Sequence, residues 1–297
     1  MGEHAGSDAS VTPADLRGER PAWTLRADGT LEPTSRPAAV ERPFTLYVNG
    51  RELVTIVASP SHLLELALGY LANEGLIARA DEVTTRVVDP EAGQIWLHVP
   101  GRTISGVELG RRWLTACCGR ARATLYFAND ADLAPVGPGV RLDPAAIFAR
   151  MADLEDGPPA LRQTGGLHWA GVGDGKRLWV RRADVGRHNA LDKVAGWCLL
   201  TGRSPAGYAV VFSGRVSSEV VVKAARMGAA WILSNAAPTS LALELADTLN
   251  LTVVGFVRDG RATVYTHPER LGVPLPTTLP PPCPPDGPYE RGISWRP

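Results

Sequence analysis

Cysteine is scarce in this chain. The 297 residues hold four, Cys117, Cys118, Cys198 and Cys283, too few and too scattered for a disulfide framework. No C-x-x-C pair is present, so neither a zinc knuckle nor a thioredoxin-type centre is supported. Net charge is missing as well. The 31 basic and 31 acidic residues cancel, and no global basicity points to nucleic acid or to an anionic membrane surface. No apolar run is long enough to span a bilayer, and Met1–Ser10 is polar, without the charged-then-apolar layout of a signal segment. The expectation is a soluble, cytoplasmic protein.

Familiar catalytic signatures are absent too. There is no H-E-x-x-H and no G-x-S-x-G elbow. The zinc-deaminase pattern H-x-E…P-C-x-x-C is missing, so no metal site is expected. Residues 171–176 are glycine-rich, but a strand and not a helix follows them. That order fits a hairpin turn and not a phosphate loop or a dinucleotide fingerprint. No internal repeat is present.

What remains has the bulk of an ordinary globular protein. Apolar residues make up 44%, and the length suffices for one large domain or two modest ones. Residues 1–41 are rich in Ala, Pro, Thr, Asp and Arg with little periodicity, and read as a flexible extension. Phe44–Val48, Asn49-Gly50 and Arg51–Val57 form a strong hairpin signal, because Asn-Gly accepts the positive φ of a two-residue turn. Ser59 fits an N-cap and Pro60 the first position of a helix whose face carries Leu63, Ala67, Tyr70 and Leu71, with Gly75 as its stop. A second strand pair is expected at 84–88 and 94–99. Asp143-Pro144 opens a helix carrying Ile147, Met151 and Leu154.

From about residue 160 strands and helices alternate. Strands are expected at 167–172, 178–182, 208–212, 230–233, 251–256 and 263–265, and helices at 189–200, 217–227 and 239–249. This is the pattern of an α/β layer with a largely parallel sheet. Prolines crowd the chain beyond residue 272, so 273–297 reads as an extended or disordered tail.

Two features carry chemistry. One is Leu114-Thr115-Ala116-Cys117-Cys118-Gly119-Arg120, with Arg111, Arg112 and Arg122 close by. A thiol is nucleophilic as thiolate, and nearby cations favour that form; packing in a core is the alternative for any free cysteine. Cys198 continues an apolar helix face and reads as packed and inert, and Cys283 as an exposed bystander.

The other feature is a set of polar clusters that follow strands: Asp184–Asn189, Ser213–Glu219, Ser234–Ser240 and Phe256–Arg261. Open α/β sheets bind ligands outside the carboxyl ends of their strands, beside helix starts. Arginine in three of the clusters suits phosphate. The candidate ligand residues are Arg187, His188, Asn189, Ser213, Gly214, Arg215, Ser234, Phe256, Val257, Arg258, Asp259, Gly260 and Arg261. Each cluster taken singly also fits plain helix capping. His188 is the better functional histidine and His168 the more structural one, though capping fits His188 as well.

With these residues assembled, the chain resembles the FdhD family of formate dehydrogenase accessory sulfurtransferases. The matching stretches are Phe44–Leu53, Leu66–Leu71, Glu74–Ile77, Thr164–His168, Asp184–Lys193, Ser213–Glu219, Ala237–Leu241 and Tyr265–Arg270, in order across residues 41–272. The resemblance implies a cytidine-deaminase-like α/β/α fold with a mixed sheet and no zinc. Its sulfurtransferase domain would cover 42–272, with a β-rich cysteine-loop part at 42–140 and a cofactor-binding part at 141–272.

It further implies a function. A loop cysteine accepts persulfide sulfur from a cysteine desulfurase and passes it to the molybdenum (or tungsten) bis(molybdopterin guanine dinucleotide) cofactor, which is destined for formate dehydrogenase. The protein would be a cytoplasmic homodimer, and the family's cofactor segment maps onto Phe256–Arg261. Cys118 aligns with the first cysteine of the family loop T-S-S-C-G-x-C-G. Ala121 stands where the second would be, and Cys117 lies one position upstream as an auxiliary. A non-enzymatic chaperone that carries and inserts the same cofactor is the alternative, motivated by Ala121.

Overall fold

The structure, a computed structural model, describes residues 16–102 and 133–276 together with the backbone of 113–114. Cys117, Cys118, Ala121, the neighbouring arginines and Cys283 lie outside the described residues.

Two larger sheets carry the fold. The first is built from β3 (Arg42–Val48), β4 (Arg51–Ala58), β5 (Thr85–Asp89), β6 (Gln94–His98) and β7 (Trp113–Leu114), in the order β5-β6-β3-β4-β7. The expected Asn-Gly turn joins β3 to β4, with φ of 51° at Asn49 and 77° at Gly50. Phe44, Leu46 and Val48 alternate into the core, each buried, as a half-buried strand requires. The short β7 runs parallel to β4, with Trp113 opposite Thr55 and Leu114 opposite Ile56.

Helix α1 (Leu63–Asn73) packs on this sheet's core. It starts later than the sequence suggests. His62, in left-handed backbone (φ 52°, ψ 43°), occupies the cap position, not Ser59. The two serines are committed elsewhere: Ser59 Oγ accepts from the Val185 N–H at 3.1 Å and Ser61 Oγ from Lys193 Nζ at 3.2 Å. Neither hydroxyl remains for capping.

The second sheet comprises β8 (His168–Gly173), β9 (Leu178–Asp184), β10 (Ala209–Phe212), β11 (Trp231–Ser234), β12 (Thr252–Arg258) and β13 (Arg261–Val264). Their order is β13-β12-β11-β10-β8-β9. The expectation of a largely parallel sheet is corrected here to a mixed one. Only β10–β11 and β11–β12 are parallel; the pairs β10–β8, β8–β9 and β12–β13 are antiparallel. Short turns join β8 to β9 and β12 to β13, and a tight turn can connect only antiparallel neighbours. The glycine-rich 171–176 stretch belongs to the first of these hairpins.

The helices beside this sheet are α2 (Pro144–Glu155), the short α3 (Pro159–Arg162), α4 (Arg187–Thr201), α5 (Ser218–Arg226) and α6 (Ser240–Thr248). Asp143 caps α2 as expected, its carboxylate accepting from the Ala145 N–H at 2.8 Å. Helix α2 packs across β8–β12. Helices α1, α4, α5 and α6 pack on one another and not on α2, which leaves α2 on the opposite face.

One expectation is overturned. Residues 17–39, read as part of a flexible extension, form an antiparallel hairpin of β1 (Arg17–Leu25) and β2 (Leu31–Ala39), paired from Arg17–Ala39 to Leu25–Leu31. Its turn is specified locally. Asp28 Oδ1 accepts from the Thr30 N–H at 2.9 Å, Gly29 takes φ 86°, and Arg26 meets both oxygens of Glu32 at 2.9 Å. Three prolines hide the strands from a propensity reading, yet edge strands tolerate them.

The two halves of the chain join where α1 crosses α4. A Cβ on Gly69 would lie 1.8 Å from the Asp192 carbonyl oxygen, and one on Gly196 would lie 1.9 Å from that of Glu65. The backbones touch, so no larger residue fits without pushing the helices apart. Gly69→Ala or Gly196→Ala is expected to cost about 3 kcal/mol or more. Urea unfolding of either variant checks this, and an unchanged midpoint would contradict the close crossing.

Candidate functional site

All four polar clusters fall on one edge of the six-stranded sheet. Strands β9, β10, β11 and β12 end there and β8 begins there. The ends of β9 and β12 are four strand spacings apart, roughly 19 Å.

At the β9 end a buried ionic framework sets the geometry. Asp184 and Lys193 are fully buried and meet at 2.6 Å. Asp184 also accepts from the Ser59 N–H at 3.1 Å, the Gly186 N–H at 2.8 Å and Asn189 Nδ2 at 3.0 Å. Lys193 donates further to the Ser59 carbonyl at 3.1 Å. A buried pair persists when its remaining donors and acceptors are satisfied in this way. Asn189 Nδ2 reaches the Val57 carbonyl too, at 2.9 Å. These bonds draw the end of β4 against the end of β9. Asn189, a candidate ligand residue, is therefore committed to the framework.

His188 stands just outside it, with Nε2 3.1 Å from the Glu219 carboxylate. Burial holds its imidazole down at about 3, and the charges of Lys223 and Arg187 reinforce the effect. The ring is thus neutral at pH 7, and its contact with Glu219 is a hydrogen bond and not an ion pair. His62 is also lowered to about 3, by burial first and then by Arg182 and Lys193. His168 is lowered by burial and Arg187, with Asp184 opposing. The buried Nδ1 atoms of His62 and His188 and the Ser217 Oγ have no hydrogen-bond partner among the described residues. Orphaned buried polar atoms at one edge are the kind that water or a ligand satisfies.

The middle of the edge divides between scaffold and open surface. Ser213 Oγ accepts from the Trp169 N–H at 2.7 Å. Ser234 is fully buried, donates to the Gly214 carbonyl at 2.8 Å and accepts from the Ala236 N–H at 3.0 Å. A Cβ on Gly214 would lie 2.9 Å from the Phe212 ring and 3.3 Å from Arg187 Cδ, so the glycine leaves room for that ring first and for the Arg187 stem beside it. Arg215 is exposed.

At the β12 end the strand bulges between Gly255 and Arg258. Phe256 adopts φ 52° there and is partly exposed. The Arg258 guanidinium lies 5.7 Å from its ring centroid. Asp259 and Gly260, at φ 51° and 68°, turn the chain toward exposed Arg261. Val257 points instead into the core.

The candidate residues thus share an edge but not a role. Arg187, His188, Arg215, Phe256, Arg258, Asp259, Gly260 and Arg261 are partly or fully accessible, whereas Asn189, Gly214, Ser234 and Val257 are buried. His62 and Lys193 were not singled out from sequence. Lys193 closes the family-matching stretch Asp184–Lys193, and His62 carried no signal in the sequence. Cys198 is buried, and burial followed by the nearby Glu65 pushes its thiol up to about 12. Among the described residues no three His, Cys, Asp or Glu side chains converge on a possible metal site, and no helix is long and apolar enough to cross a membrane.

Comparison with known proteins supplies a family. A family model described as FdhD/NarQ matches residues 39–272. The sulfur carrier protein FdhD of Bacillus subtilis (strain 168) is 39% identical over 254 residues, which covers 85% of this chain and 96% of that protein. Its namesake from Staphylococcus aureus (strain JH9) is 41% identical over 248 residues, covering 82% and 92%. A crystal structure named as that of a formate dehydrogenase accessory protein from Desulfotalea psychrophila aligns with a TM-score of 0.71 and 29% identity, over 86% of this chain and 99% of that one.

The buried histidines give the fold an acid-sensitive limb. In the unfolded chain His62 and His188 take up protons near pH 6.5; in the folded chain they resist until about 3. The unfolded state therefore binds more protons between these values. Stability is full above pH 6.5 and falls as the pH drops toward 3. Urea titrations across that window are expected to show His188→Gln losing up to one proton's worth of the pH slope. An identical slope in the variant would refute a neutral buried His188.

Proposed function

Since the chain belongs to the FdhD/NarQ family, we propose that it is a sulfur carrier in formate dehydrogenase maturation, with Cys118 as the persulfide residue. One observation carries the reading: a single sheet edge has arginines and a partly exposed aromatic ring at its β12 end, while its β9 end adjoins the strand that feeds the cysteine pair. Leu114 pairs with Ile56, next to the Val57 whose carbonyl holds Asn189. Cys118 follows Leu114 by four residues, a reach of at most about 14 Å.

In this reading the Cys118 thiolate attacks the terminal sulfur of a persulfide on a cysteine desulfurase. The donor's S–S bond breaks, its cysteine leaves as thiolate, and the Cys118 persulfide forms. Arg120 and Arg122 favour the thiolate form. The substrate that receives the sulfur is the molybdenum bis(molybdopterin guanine dinucleotide) cofactor, destined for the formate dehydrogenase catalytic subunit. Phe256 offers a ring face for guanine stacking, and Arg215, Arg258 and Arg261 offer guanidinium groups for phosphate. Arg187 and the orphaned polar atoms of His62, His188 and Ser217 line the end nearer the sulfur.

The reading extends to a deaminase-like layering of the mixed sheet, to a cytoplasmic location and to a homodimer. Ala121, at the place of the second family cysteine, favours one rival: a chaperone that carries the cofactor without handling sulfur.

Intact-mass analysis after incubation with a cysteine desulfurase and free cysteine separates the two. One extra sulfur is expected on Cys118 and none on Cys198, whose buried thiol is the internal control. Absence of sulfur on Cys118, or full formate dehydrogenase maturation by the Cys117→Ala/Cys118→Ala variant, would sink the carrier reading and leave the chaperone. Guanosine diphosphate titration tests the other end of the edge. Phe256→Ala is expected to weaken binding about 10-fold, the usual loss for one stacked base, and Arg258→Ala to weaken it as well. Unchanged affinity in both variants would remove this end from the cofactor site.

A further inference from the structure

Helices α1, α4 and α5 end together on the side of the fold away from the ligand edge. Their last turns form one wall of a groove of about 1140 Å³, with residues 77–81, Arg86 and Arg102 opposite. Helix α4 is 15 residues long, which puts the groove roughly 20 Å from that edge. Its charged lining is one-sided: Arg79, Arg86, Arg102, Arg203 and Arg226 stand against a single carboxylate, Asp81.

Three of these arginines have ordinary duties. Arg226 lies in the last turn of α5 and Arg203 just beyond the end of α4, where cations offset the helix dipole. Arg86 donates to the Ala80 carbonyl. Arg79 and Arg102 are exposed and less committed. The Arg79–Asp81 pair is open to solvent on both sides and therefore weak, and Arg102 makes no ion pair among the described residues. Apolar side chains, among them Ile77, Leu199 and Met227, line the groove between the charges.

Size and charge together select the occupant. The groove exceeds the roughly 300–1,000 Å³ of a small-molecule pocket, and arginines around apolar side chains complement a polypeptide segment that mixes acidic with apolar residues. The chain's own segments outside the described residues fit poorly. Residues 103–132 carry four arginines against three carboxylates, and 277–297 carry two against two. Residues 1–15 hold Glu3, Asp8 and Asp15 without lysine or arginine, but Met1 and Val11 are their only large apolar side chains. Arg102 and Leu133, the residues between which the stretch with Cys118 is strung, both line the groove. A protein seated there sits at the roots of that stretch. We propose, resting on the sulfur-carrier reading, that the groove docks an acidic, partly apolar segment of the protein that delivers sulfur to Cys118.

Sulfur loading of the full chain, followed by intact mass with two donors, is the test. One donor is a cysteine desulfurase supplied with free cysteine; the other is free cysteine persulfide, which needs no docking. Arg79→Glu/Arg102→Glu is expected to raise the KM for the desulfurase about 10-fold with kcat unchanged, and to leave loading by cysteine persulfide as in the wild type. The wild-type KM rises with salt, and that of the variant rises less. Arg20→Glu/Arg36→Glu makes the same charge change on the exposed β1–β2 hairpin and leaves the KM unaltered. Thermal melting verifies that each variant is folded. Should the double variant fail to fold, Arg102→Glu alone serves, with a shift of about 3-fold. Equal KM values for the wild type and the groove variant overturn the proposal. So does a KM that falls when residues 1–15 are removed, since the chain's own acidic start would then fill the groove. A wild type that takes sulfur from neither donor sinks the carrier reading itself, a result distinct from both.

Discussion

Helices α1 and α4 meet backbone to backbone, and the candidate site depends on that contact. Gly69 and Gly196 remove the two side chains that would hold the helices apart. The closeness lets the loop ahead of α1 reach the loop ahead of α4. Ser59 and Ser61 can then bond Val185 and Lys193, and the Asp184–Lys193 pair finds partners enough to remain buried and charged. Removing one member of such a pair strands a charge in the core, which typically costs about 3–5 kcal/mol. The crossing and the ion pair are thus mutually dependent. Together they hold the β4–β7 side of one sheet against the ligand edge of the other.

The electrostatics of that edge follow from the same packing. Arg187, Lys193 and Lys223 are held close to buried imidazoles, and desolvation keeps His62 and His188 uncharged. A neutral histidine adds no repulsion to the cations around it and keeps an acceptor nitrogen available. The cations beside these rings are arginine and lysine, and Lys193 and Lys223 are each paired with an aspartate, Asp184 and Asp192. The neutrality of His188 leaves the anion-favouring charge of the edge to the exposed Arg215, Arg258 and Arg261. It also accounts for Glu219 beside His188, a carboxylate that accepts a hydrogen bond without needing the imidazole to ionise.

Much of the second sheet was legible from residue order, since short apolar runs alternated with capped helices and four of the six runs ended in a polar cluster. The sheet's mixed character was not, because strand direction depends on whether a connection is a turn or a crossover. The β1–β2 hairpin escaped a reading based on composition: its prolines lower strand propensity, while the alternation of Pro21, Trp23 and Leu25 that marks a face becomes visible only once Leu31 and Pro33 are placed opposite. Ser59 looked like a helix cap because a serine before a proline and an apolar helix usually is one. Its hydroxyl was instead claimed by Val185, far away along the chain.

Sequence alone determined the local elements, the family resemblance, and which residue types gather after the strands, because turns, caps and hydrophobic periodicity are properties of neighbouring residues. Tertiary structure decided which of those residues are accessible. Ser234, Asn189 and Arg187 read alike as ligand candidates, yet the first two are consumed by partners distant in sequence, Gly214 for Ser234 and Val57 and Asp184 for Asn189, while Arg187 stays partly open. Burial and hydrogen-bond competition are set by long-range contacts. The proximity of β7 to the ligand edge is likewise a product of the α1–α4 crossing, where two glycines distant in sequence bring the chain's two halves within reach of each other.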